Sequence, residues 1–395
     1  MEKLKNLTSI IIFVLAAALV AFDCGTLGAE SSVSVNSISA SSLVFYGPMV
    51  ADFDNGGGPN SWGGTTGIFY VPGANASIAY SSSVAYGGSG YSLAINYSVP
   101  SAAVFSGAYT TLSPTAICDI SAYKYLSFYV RGASVEKTFK LELQDSNGVN
   151  ASLYVSDYLD GGITTAWQQV RIPLDAFVNL DSLANVSKIV FVFEHDYYER
   201  NGMPFSGTVY LDNISFGTDA LSVVRIEHFG DKWDMNALGG NLGDMYGGAV
   251  AYHSHDFSSL IYNGYSYGLL SIYNVTSGWC GMYMLFGNAS GKAHNFSGYG
   301  KLTLWLKSMS AETTPLKIKM ELVDAAGIHV ARIPDHTTTP AVAISTTWRK
   351  YTINFSAFAG LQPASIKQMN VVYEDTQVGQ NKMGAVYYDD IQFEK

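Results

Sequence analysis

The chain has 395 residues and a net charge of −10, and only 14% of its residues are charged. This length predicts two or three domains, each large enough to bury a hydrophobic core. The acidic balance and the lack of a basic patch argue against nucleic-acid binding. Low charge combined with 27 Tyr and 39 Gly is more typical of an exported β-rich protein than of a cytosolic α/β enzyme.

The N-terminus predicts a secretory signal peptide at residues 1–29. A short charged segment precedes an apolar run that is too short for a comfortable membrane span. Cys24 follows this run and leaves lipid attachment as an alternative. A Ser-rich leader follows at 30–46, and no later apolar stretch is long enough to span a bilayer. We therefore expect a secreted, extracellular or cell-surface protein that does not span the membrane after signal cleavage.

The two halves of the remaining chain repeat one another. The segment Asn60–Gly64 recurs as Asn236–Gly240, and the closing segments match at a nearly constant shift. Such a duplication with small changes in loop length predicts two copies of one structural unit. We expect a first β-sandwich at 47–217 and a second at 218–395, close to one another because the connection is short.

Within each repeat the hydrophobic pattern has a period of two. Apolar and polar residues alternate at 126–131, at 139–144 and at 302–307, as in half-buried antiparallel strands. Turn residues predict hairpins at 145–148 and 324–327. Because no amphipathic stretch is long enough for a major helix, the predicted fold class is all-β, with two tandem antiparallel sandwiches.

Two tryptophans and two cysteines are candidates for buried positions in the core. Trp167 and Trp348 each start a strand after a Thr-Thr turn, and we interpret both as core anchors. Cys118 and Cys280 lie at non-equivalent positions of the two repeats. A disulfide between them is permitted outside the cell, and two buried free thiols are the alternative.

Asn-x-Ser/Thr sequons are more frequent than chance predicts. They indicate a glycosylated surface if the source has the machinery. The alternative is that Asn, Ser and Thr share the same strand and turn neighbourhoods. The predicted glycosylation sites are Asn75, Asn96, Asn150, Asn185, Asn274, Asn288, Asn295 and Asn354.

Four segments of the first repeat carry a resemblance to a known family. They are 51–64, 119–132, 167–177 and 209–214. They resemble the galactose-binding-like jelly-roll domains, in particular the carbohydrate-binding modules of β-glucanases. The second repeat matches less well. The same fold also serves in periplasmic flagellar sheath proteins and other non-catalytic roles.

The resemblance implies a concave sheet face that can cradle a polysaccharide and a structural calcium ion near the first and last strands. Calcium prefers carboxylate and carbonyl oxygens. The candidate ligands are Asp54 and Asp212 in the first repeat, and Glu227 and Asp389 in the second. The acids of the two opening strands do not align. The alternative is that Asp212 and Asp389 accept hydrogen bonds from nearby backbone.

The alternation itself predicts a binding face. Strand residues that point away from the core are expected to place an aromatic ring, a cation and two carboxylates on the same sheet face in both repeats. Rings suit the apolar side of a pyranose, and charged or amide groups suit its hydroxyls. The predicted ligand-binding residues are Tyr129, Arg131, Glu142, Gln144, Glu194, Tyr198, Trp305, Lys307, Glu321 and Glu374. Hairpin regions add Asp157, Tyr158, Tyr197 and Arg200, and in the second repeat Arg332, Asp335 and His336.

Other interpretations of this face remain open. Arg131 between Glu142 and Glu194 is also consistent with a surface salt-bridge cluster. Tyr129 and Trp305 are also consistent with packing between domains or between molecules.

Two further patterns in the sequence bear on catalysis and metal binding. A glycosidase needs two acids at a fixed separation, one with a raised pKa, and an open face beside an arginine does not raise the pKa of a carboxyl group. We therefore expect no enzyme. His253 and His255 have a spacing that can bind metal, but no third ligand is evident.

The sequence thus predicts a secreted, non-catalytic protein with two carbohydrate-binding-module-like domains that bind polysaccharide or cell-surface glycan. Two modules on one chain would raise the avidity for a long polymer. The alternative is a self-assembling subunit of an extracellular filament, sheath or surface layer, whose partners are copies of itself. In that case the leader at 30–46 could pair with a neighbour's sheet edge.

Overall fold

The structure is a computed structural model that describes residues 48–395 with several gaps. The gaps are 115–116, 135–137, 181, 231, 233, 260, 263–266, 288–290, 311–315, 340–341 and 381. The predicted signal peptide (1–29) and the predicted leader (30–46) lie outside the described residues. Within the described part, no helix has the length and apolar character needed to cross a membrane.

The first repeat, residues 48–217, is built from strands with one short α-helix, α1 (His195–Asn201). Short 3-10 turns lie at Tyr86–Gly88, Val155–Tyr158, Leu174–Ala176 and Leu183–Asn185. The strands are β1 (Met49–Ala51), β2 (Thr66–Tyr70), β3 (Asn75–Ser81), β4 (Ser92–Ser98), β5 (Phe105–Thr111), β6 (Tyr125–Gly132), β7 (Lys140–Asp145), β8 (Asn150–Tyr154), β9 (Gln168–Pro173), β10 (Val186–Glu194) and β11 (Ser206–Gly217).

These strands form two antiparallel sheets. The first, which we call the A side, has the order β3-β4-β11-β6-β9, and β1 also pairs with β11. The second, the B side, has the order β2-β5-β10-β7-β8. The chain crosses repeatedly between the sheets, because β1, β3, β4, β6, β9 and β11 lie on the A side and β2, β5, β7, β8 and β10 lie on the B side.

The second repeat, residues 223–395, is also built from antiparallel strands, and two of them, with 17 and 18 residues, are longer than any described strand of the first repeat. Short 3-10 turns lie at Phe355–Ala357 and Pro363–Ser365. The strands are β12 (Val223–Glu227), β13 (Leu242–Ser258), β14 (Gly268–Leu285), β15 (Lys301–Ser308), β16 (Ile318–Val323), β17 (Ile328–Ile333), β18 (Thr337–Thr339), β19 (Arg349–Asn354), β20 (Gln368–Glu374) and β21 (Met383–Glu394).

Two long strands join the two sides of the second repeat. The first part of β14 pairs with β21, and its last part pairs with β20. Strand β13 follows β14 along its length, with register shifts between Gly247 and Ala251. The A side therefore contains β12, β21, β15, β19 and β18, and the B side contains β17, β16 and β20. Among the described residues, no strand of one repeat pairs with a strand of the other.

The core of each repeat lies between its two sides. Phe128 on β6 meets Phe191 on β10 edge to face, with ring centroids 6.4 Å apart, and the Leu141 and Leu143 side chains of β7 are fully buried. In the second repeat Leu304 and Met320 are equally buried. The predicted alternation is confirmed, because these residues face inward while their polar neighbours do not.

Two predictions about local structure have different outcomes. The hairpins are confirmed: β7 pairs with β8, and β16 pairs with β17. The interpretation of Trp167 and Trp348 as core anchors is wrong, since both side chains are only half-buried. Trp62 is the tryptophan in the core of the first repeat, with 3% of its surface exposed. Spacing after a turn predicted a strand start but not the side of the sheet on which the ring lies.

Both cysteines of the described chain are unpaired and buried. Burial raises the pKa of the Cys118 thiol, and it raises that of Cys280 to about 11. Cys118 and Cys280 are therefore buried free thiols in the structure and do not form a disulfide.

One asparagine in each repeat fixes the turn by which the chain passes from the A side to the B side. The Asn60 amide donates to the Thr111 carbonyl (2.8 Å), and its oxygen accepts from the Gly64 N–H (2.8 Å). Asn236 makes the same contacts with Leu285 and with Gly240. A Cβ at Gly64 would lie 1.8 Å from the Thr111 carbonyl oxygen. This closeness explains why the Asn…Gly pattern recurs in both repeats.

We predict that Asn60→Ala and Asn236→Ala each lower the free energy of unfolding by about 1–3 kcal/mol, because each leaves buried backbone groups without partners. Urea unfolding measures the loss. Asn147→Ala is the matched control, since Asn147 lies in an exposed turn. A loss no larger than that of the control would contradict the assigned role.

The junction between the repeats is held by polar side chains. His228 donates from Nε2 to the Ser156 carbonyl (2.8 Å), and its Nδ1 accepts from the Gly230 N–H (2.7 Å). Arg225 contacts Asp160, and the Tyr158 hydroxyl donates to a carbonyl of the second repeat. Burial lowers the pKa of His228 to about 4, and the charge of Arg225 adds to this effect.

This shift predicts a loss of stability in acid. Between pH 6.5 and about 4 the unfolded chain binds a proton at His228 and the folded chain does not, so stability falls as the pH falls. His228→Gln should remove part of this dependence, measured as the difference in melting temperature between pH 7 and pH 4.5. The exposed His336 provides the control variant, His336→Gln. An unchanged difference in His228→Gln would contradict the assignment.

Candidate functional site

A cleft lies on the outer face of the B side in the first repeat. It has a volume of about 380 Å³. Aromatic rings from β2 and β5 line one part, and charged side chains from β7 and β10 line the other. The predicted residues Glu142, Gln144 and Glu194 all line this cleft.

An ion cluster forms the polar part of the cleft. The Lys140 ammonium contacts Glu194 and lies 3.3 Å from Glu142. The Tyr154 hydroxyl donates to the other oxygen of Glu194 (3.2 Å). Burial of Lys140 opposes its charge, but the two carboxylates outweigh it, and its pKa is raised above the usual value. The cluster therefore presents ordered carboxylate oxygens to a ligand.

Two glycines shape the aromatic part of the cleft. The Tyr109 ring covers Gly67, where a Cβ would lie 2.6 Å from the hydroxyl oxygen. The Phe69 ring covers Gly107 in the same way, at 2.7 Å. The rings thus lie flat along the sheet because the positions beneath them have no side chain. Lys188 extends over the Tyr109 ring, 5.4 Å from its centroid.

The second repeat has the same ion cluster on its B side. Lys319 lies 3.1 Å from Glu321 and 2.8 Å from Glu374. Arg332 contacts Glu374 at 2.7 Å and so takes the place of Tyr154. Asn370 donates to Glu321 (2.8 Å), so this face satisfies more of its own acceptors than the first repeat does.

The lysine of the cluster was missed by the sequence analysis. Lys140 and Lys319 recur at the same spacing from Glu142 and Glu321, two positions earlier on the same strand. That signal is present in the sequence, whereas outward orientation alone selects Arg131 as the cation of the face. The repeat itself could have identified the lysine.

The prediction that the candidate residues share one sheet face is wrong. Strand β6 belongs to the A side, whereas β7 and β10 belong to the B side. Alternation shows which residues point outward from each strand, but it does not show which sheet the strand joins. The residues on the A side are Tyr129, Arg131, Trp305 and Lys307, and those on the B side are Glu142, Gln144, Glu194, Glu321 and Glu374.

Tyr198 lies in the core, with 1% of its surface exposed, and donates to the Thr138 carbonyl (3.0 Å). Its prediction as a ligand-binding residue is therefore wrong. Asp157 and Tyr197 are also buried, whereas Arg200 is exposed beside Glu194 in a cavity next to the cleft.

In the second repeat, the hairpin residues of the predicted set lie near Arg332. Asp335 pairs with Lys317 (2.8 Å), and His336 accepts from the Arg332 N–H (3.1 Å). Both side chains therefore order the hairpin beside the ion cluster of the second repeat.

The predicted calcium ligands have unequal surroundings in the two repeats. Asp212 accepts from the Tyr86 N–H (2.9 Å). Burial raises its pKa to about 6, and the nearby carboxylates of Asp54 and Asp52 add to this effect. Asp54 accepts from the Tyr91 N–H (2.8 Å). The negative charges of Asp54 and Asp52 thus act on Asp212 in the first repeat.

In the second repeat Glu227 accepts from the N–H groups of His228 and Phe229. Asp389 accepts from the Tyr262 N–H, and burial raises its pKa to about 7. The Arg225 guanidinium lies 3.9 Å from the adjacent Asp390 and already supplies positive charge. A cation of the chain therefore already lies beside the acidic groups of the second repeat.

A triad-like arrangement lies inside the second repeat. His253 contacts the Ser271 hydroxyl (2.7 Å) and Asp244 (2.6 Å), and Asp244 also contacts His255 (2.7 Å). Ser271 is fully buried and its hydroxyl also contacts Tyr373 (2.9 Å). A nucleophile must reach its substrate, and this hydroxyl does not. Among the described side chains, no group of three or more His, Cys, Asp and Glu has the arrangement of a metal site.

The sequons differ in exposure. Asn288 lies outside the described residues. Asn274 and Asn354 are half-buried. The exposed sequon residues are Asn75, Asn96, Asn150, Asn185 and Asn295.

One family model matches the first repeat. Residues 52–218 match the family model of carbohydrate binding domain 30. The resemblance to carbohydrate-binding modules is therefore confirmed for this part of the chain. Among curated proteins, none matches the chain.

The solved structures that are similar to part of the chain include two carbohydrate-binding modules. A family 11 carbohydrate-binding module from Clostridium thermocellum is 18% identical, with 43% of this chain and 94% of that chain covered and a TM-score of 0.31. A family 30 module of a cellulosomal cellulase from Clostridium thermocellum is 16% identical, with 44% and 98% covered and a TM-score of 0.31.

Proposed function

We propose that this protein is a secreted, non-catalytic polysaccharide-binding protein and that the cleft on the B side of the first repeat holds the sugar chain. The observation that carries the proposal is the pairing, in one cleft, of flat Tyr and Phe rings with ordered carboxylates, within residues that match a carbohydrate-binding family. Rings of this kind cover the apolar side of a pyranose, and carboxylates accept hydrogen bonds from its hydroxyls. Glycosylation of the exposed sequons is part of the same proposal.

The ion cluster supports a binding role over hydrolysis. A glycosidase needs one carboxylic acid that keeps its proton and one carboxylate that does not. Glu142 and Glu194 contact the same Lys140 ammonium. Both carboxylates are therefore engaged by one cation of the chain, whereas a glycosidase places its two acids on either side of the scissile bond.

We predict that Tyr109→Ala weakens β-glucan binding by about tenfold or more, because the ring supplies a flat apolar surface beside the charged residues. Isothermal titration with a soluble β-glucan measures the change. Glu194→Gln should also weaken binding, since it removes both a carboxylate of the cleft and its ion pair with Lys140.

Tyr70→Ala is the matched control for Tyr109→Ala. Tyr70 lies on β2 of the same side and is 54% exposed, but it does not line the cleft. Equal losses in both variants would contradict the cleft as the binding site, and so would an unmodified chain that binds no polysaccharide.

We further propose that the first repeat binds a structural calcium ion through Asp54 and Asp212. If so, calcium at a hundred times its Kd should stabilise the fold by about 2.7 kcal/mol. Calorimetry with calcium and with a chelator measures this difference. Asp54→Asn should abolish it, and Asp389→Asn should leave it unchanged. Equal melting temperatures with calcium and chelator would refute the proposal.

Self-assembly into an extracellular filament, sheath or surface layer is the second candidate. It is favoured by the outer edge of β13, which has no strand partner among the described residues and exposes Tyr246 (64%) and Tyr252 (56%). Such an edge can pair with a strand of another molecule. Ordered polymers in negative-stain micrographs without added sugar would favour this candidate, whereas dispersed particles would oppose it.

A further inference from the structure

A second aromatic surface lies on the A side of the first repeat, opposite to the cleft. The Tyr86 ring stacks on Tyr129, with centroids 3.5 Å apart and planes at 20°. Trp167 stands against Tyr86 at 81°, with centroids 6.0 Å apart. We call these rings the floor (Tyr86 on Tyr129) and the wall (Trp167). All three side chains are only half-buried, so the surface is open to solvent.

The second repeat builds the same surface. The Tyr262 ring stacks on Trp305 at 3.3 Å and 17°. Trp348 forms the wall at 67° and 6.4 Å. Tyr262 is 39% exposed. The floor and wall therefore recur, although Trp305 occupies the position of Tyr129. The aromatic surface, and not one particular pair of residues, is thus common to both repeats.

Anchoring of the loop alone does not explain the rings. The backbone N–H of Tyr86 already bonds to Asp212, and that of Tyr262 to Asp389. Any residue type can supply such a backbone bond. Each repeat nevertheless places a tyrosine there, with its ring over the aromatic residue of the sheet.

A cation without a carboxylate partner lies beside each floor. Arg131 lies two positions after Tyr129 on β6 and therefore on the same face of the strand. Its buried Nε has no hydrogen-bond partner. Lys307 follows Trp305 on β15 and lies 5.8 Å from the Tyr387 ring. Among the described residues neither is within 4 Å of an acid, although the chain has a net charge of −10 and other cations, such as Lys140 and Lys319, are ion-paired. The positive charges of these two side chains are therefore available to pair with an anionic group of a ligand.

We propose that these two surfaces bind a polysaccharide that carries acidic groups, such as a chain of uronic acid residues. The floor covers one side of a sugar ring, the wall contacts its edge, and Arg131 or Lys307 pairs with the acidic group. Because the surfaces lie on the opposite side of the sandwich from the cleft, one chain could hold a neutral and an acidic polysaccharide together. The surfaces do not depend on the cleft for their geometry.

The test is affinity electrophoresis of the full chain in gels that contain polygalacturonate or, separately, a neutral β-glucan. At low salt we expect retardation by polygalacturonate, which weakens as salt screens the charges. Trp167→Ala combined with Trp348→Ala should weaken it by about tenfold. Arg131→Gln combined with Lys307→Gln should weaken it and reduce its dependence on salt. This second pair lies at half-exposed strand positions, so it tests the proposal even if the tryptophan variants fold poorly.

Two controls separate this inference from the proposed function. Trp279→Ala removes an exposed tryptophan on the B side of the second repeat (39% exposed) and should leave polygalacturonate binding unchanged. Tyr109→Ala should affect the β-glucan gel only. Absence of polygalacturonate binding at low salt, or equal binding by both double variants and the unmodified chain, would overturn the inference. Loss of β-glucan binding alone would count against the cleft and not against the A side.

Discussion

The cleft depends on the way in which an asparagine side chain holds the turn between the two sides of the sandwich. Asn60 ties the start of β2 to the end of β5 through the Thr111 carbonyl. These two strands carry Phe69 and Tyr109, the rings of the cleft. If the turn were loose, β2 would be an edge strand held only by its own ladder, and the rings would lose their fixed position. Because Gly64 has no Cβ, the asparagine can approach the carbonyl closely.

The two repeats share the asparagine-held turn and the two sheets, but they differ in the side chains on the outer face of the B side. On the B side both retain a lysine between two glutamates, but Tyr154 is replaced by Arg332, which forms a second ion pair with Glu374. Asn370 also donates to Glu321. Polar groups that already bond to one another have less capacity for a ligand, and displacing them costs the bonds they make. The first repeat therefore has the more available B side, which agrees with the position of the family match.

Much of the fold could be predicted from the sequence because its signals are local. The alternation at 126–131 fixes which side chains enter the core, and the hairpin at 145–148 is determined by its turn residues. The sheet that each strand joins is not a local property. Strands β6 and β7 are consecutive and have the same pattern, yet they lie in different sheets. For this reason Tyr129 and Glu142 could each be recognised as outward-facing, while their common site could not.

The tryptophan error has a related cause and a functional consequence. A large aromatic residue at a strand start is more often buried than exposed, so sequence alone favoured a core position for Trp167. Its actual place is set by Tyr86, which comes from a loop distant in sequence and covers Tyr129. Only the folded chain brings these three rings together. A sandwich that keeps aromatic rings at the surface on one side and a charged, ring-lined cleft on the other has two chemically different faces, and the duplication repeats the stacked rings and the ion cluster. Because the two faces lie on opposite sides of the sandwich, a ligand on one face would not obstruct a ligand on the other.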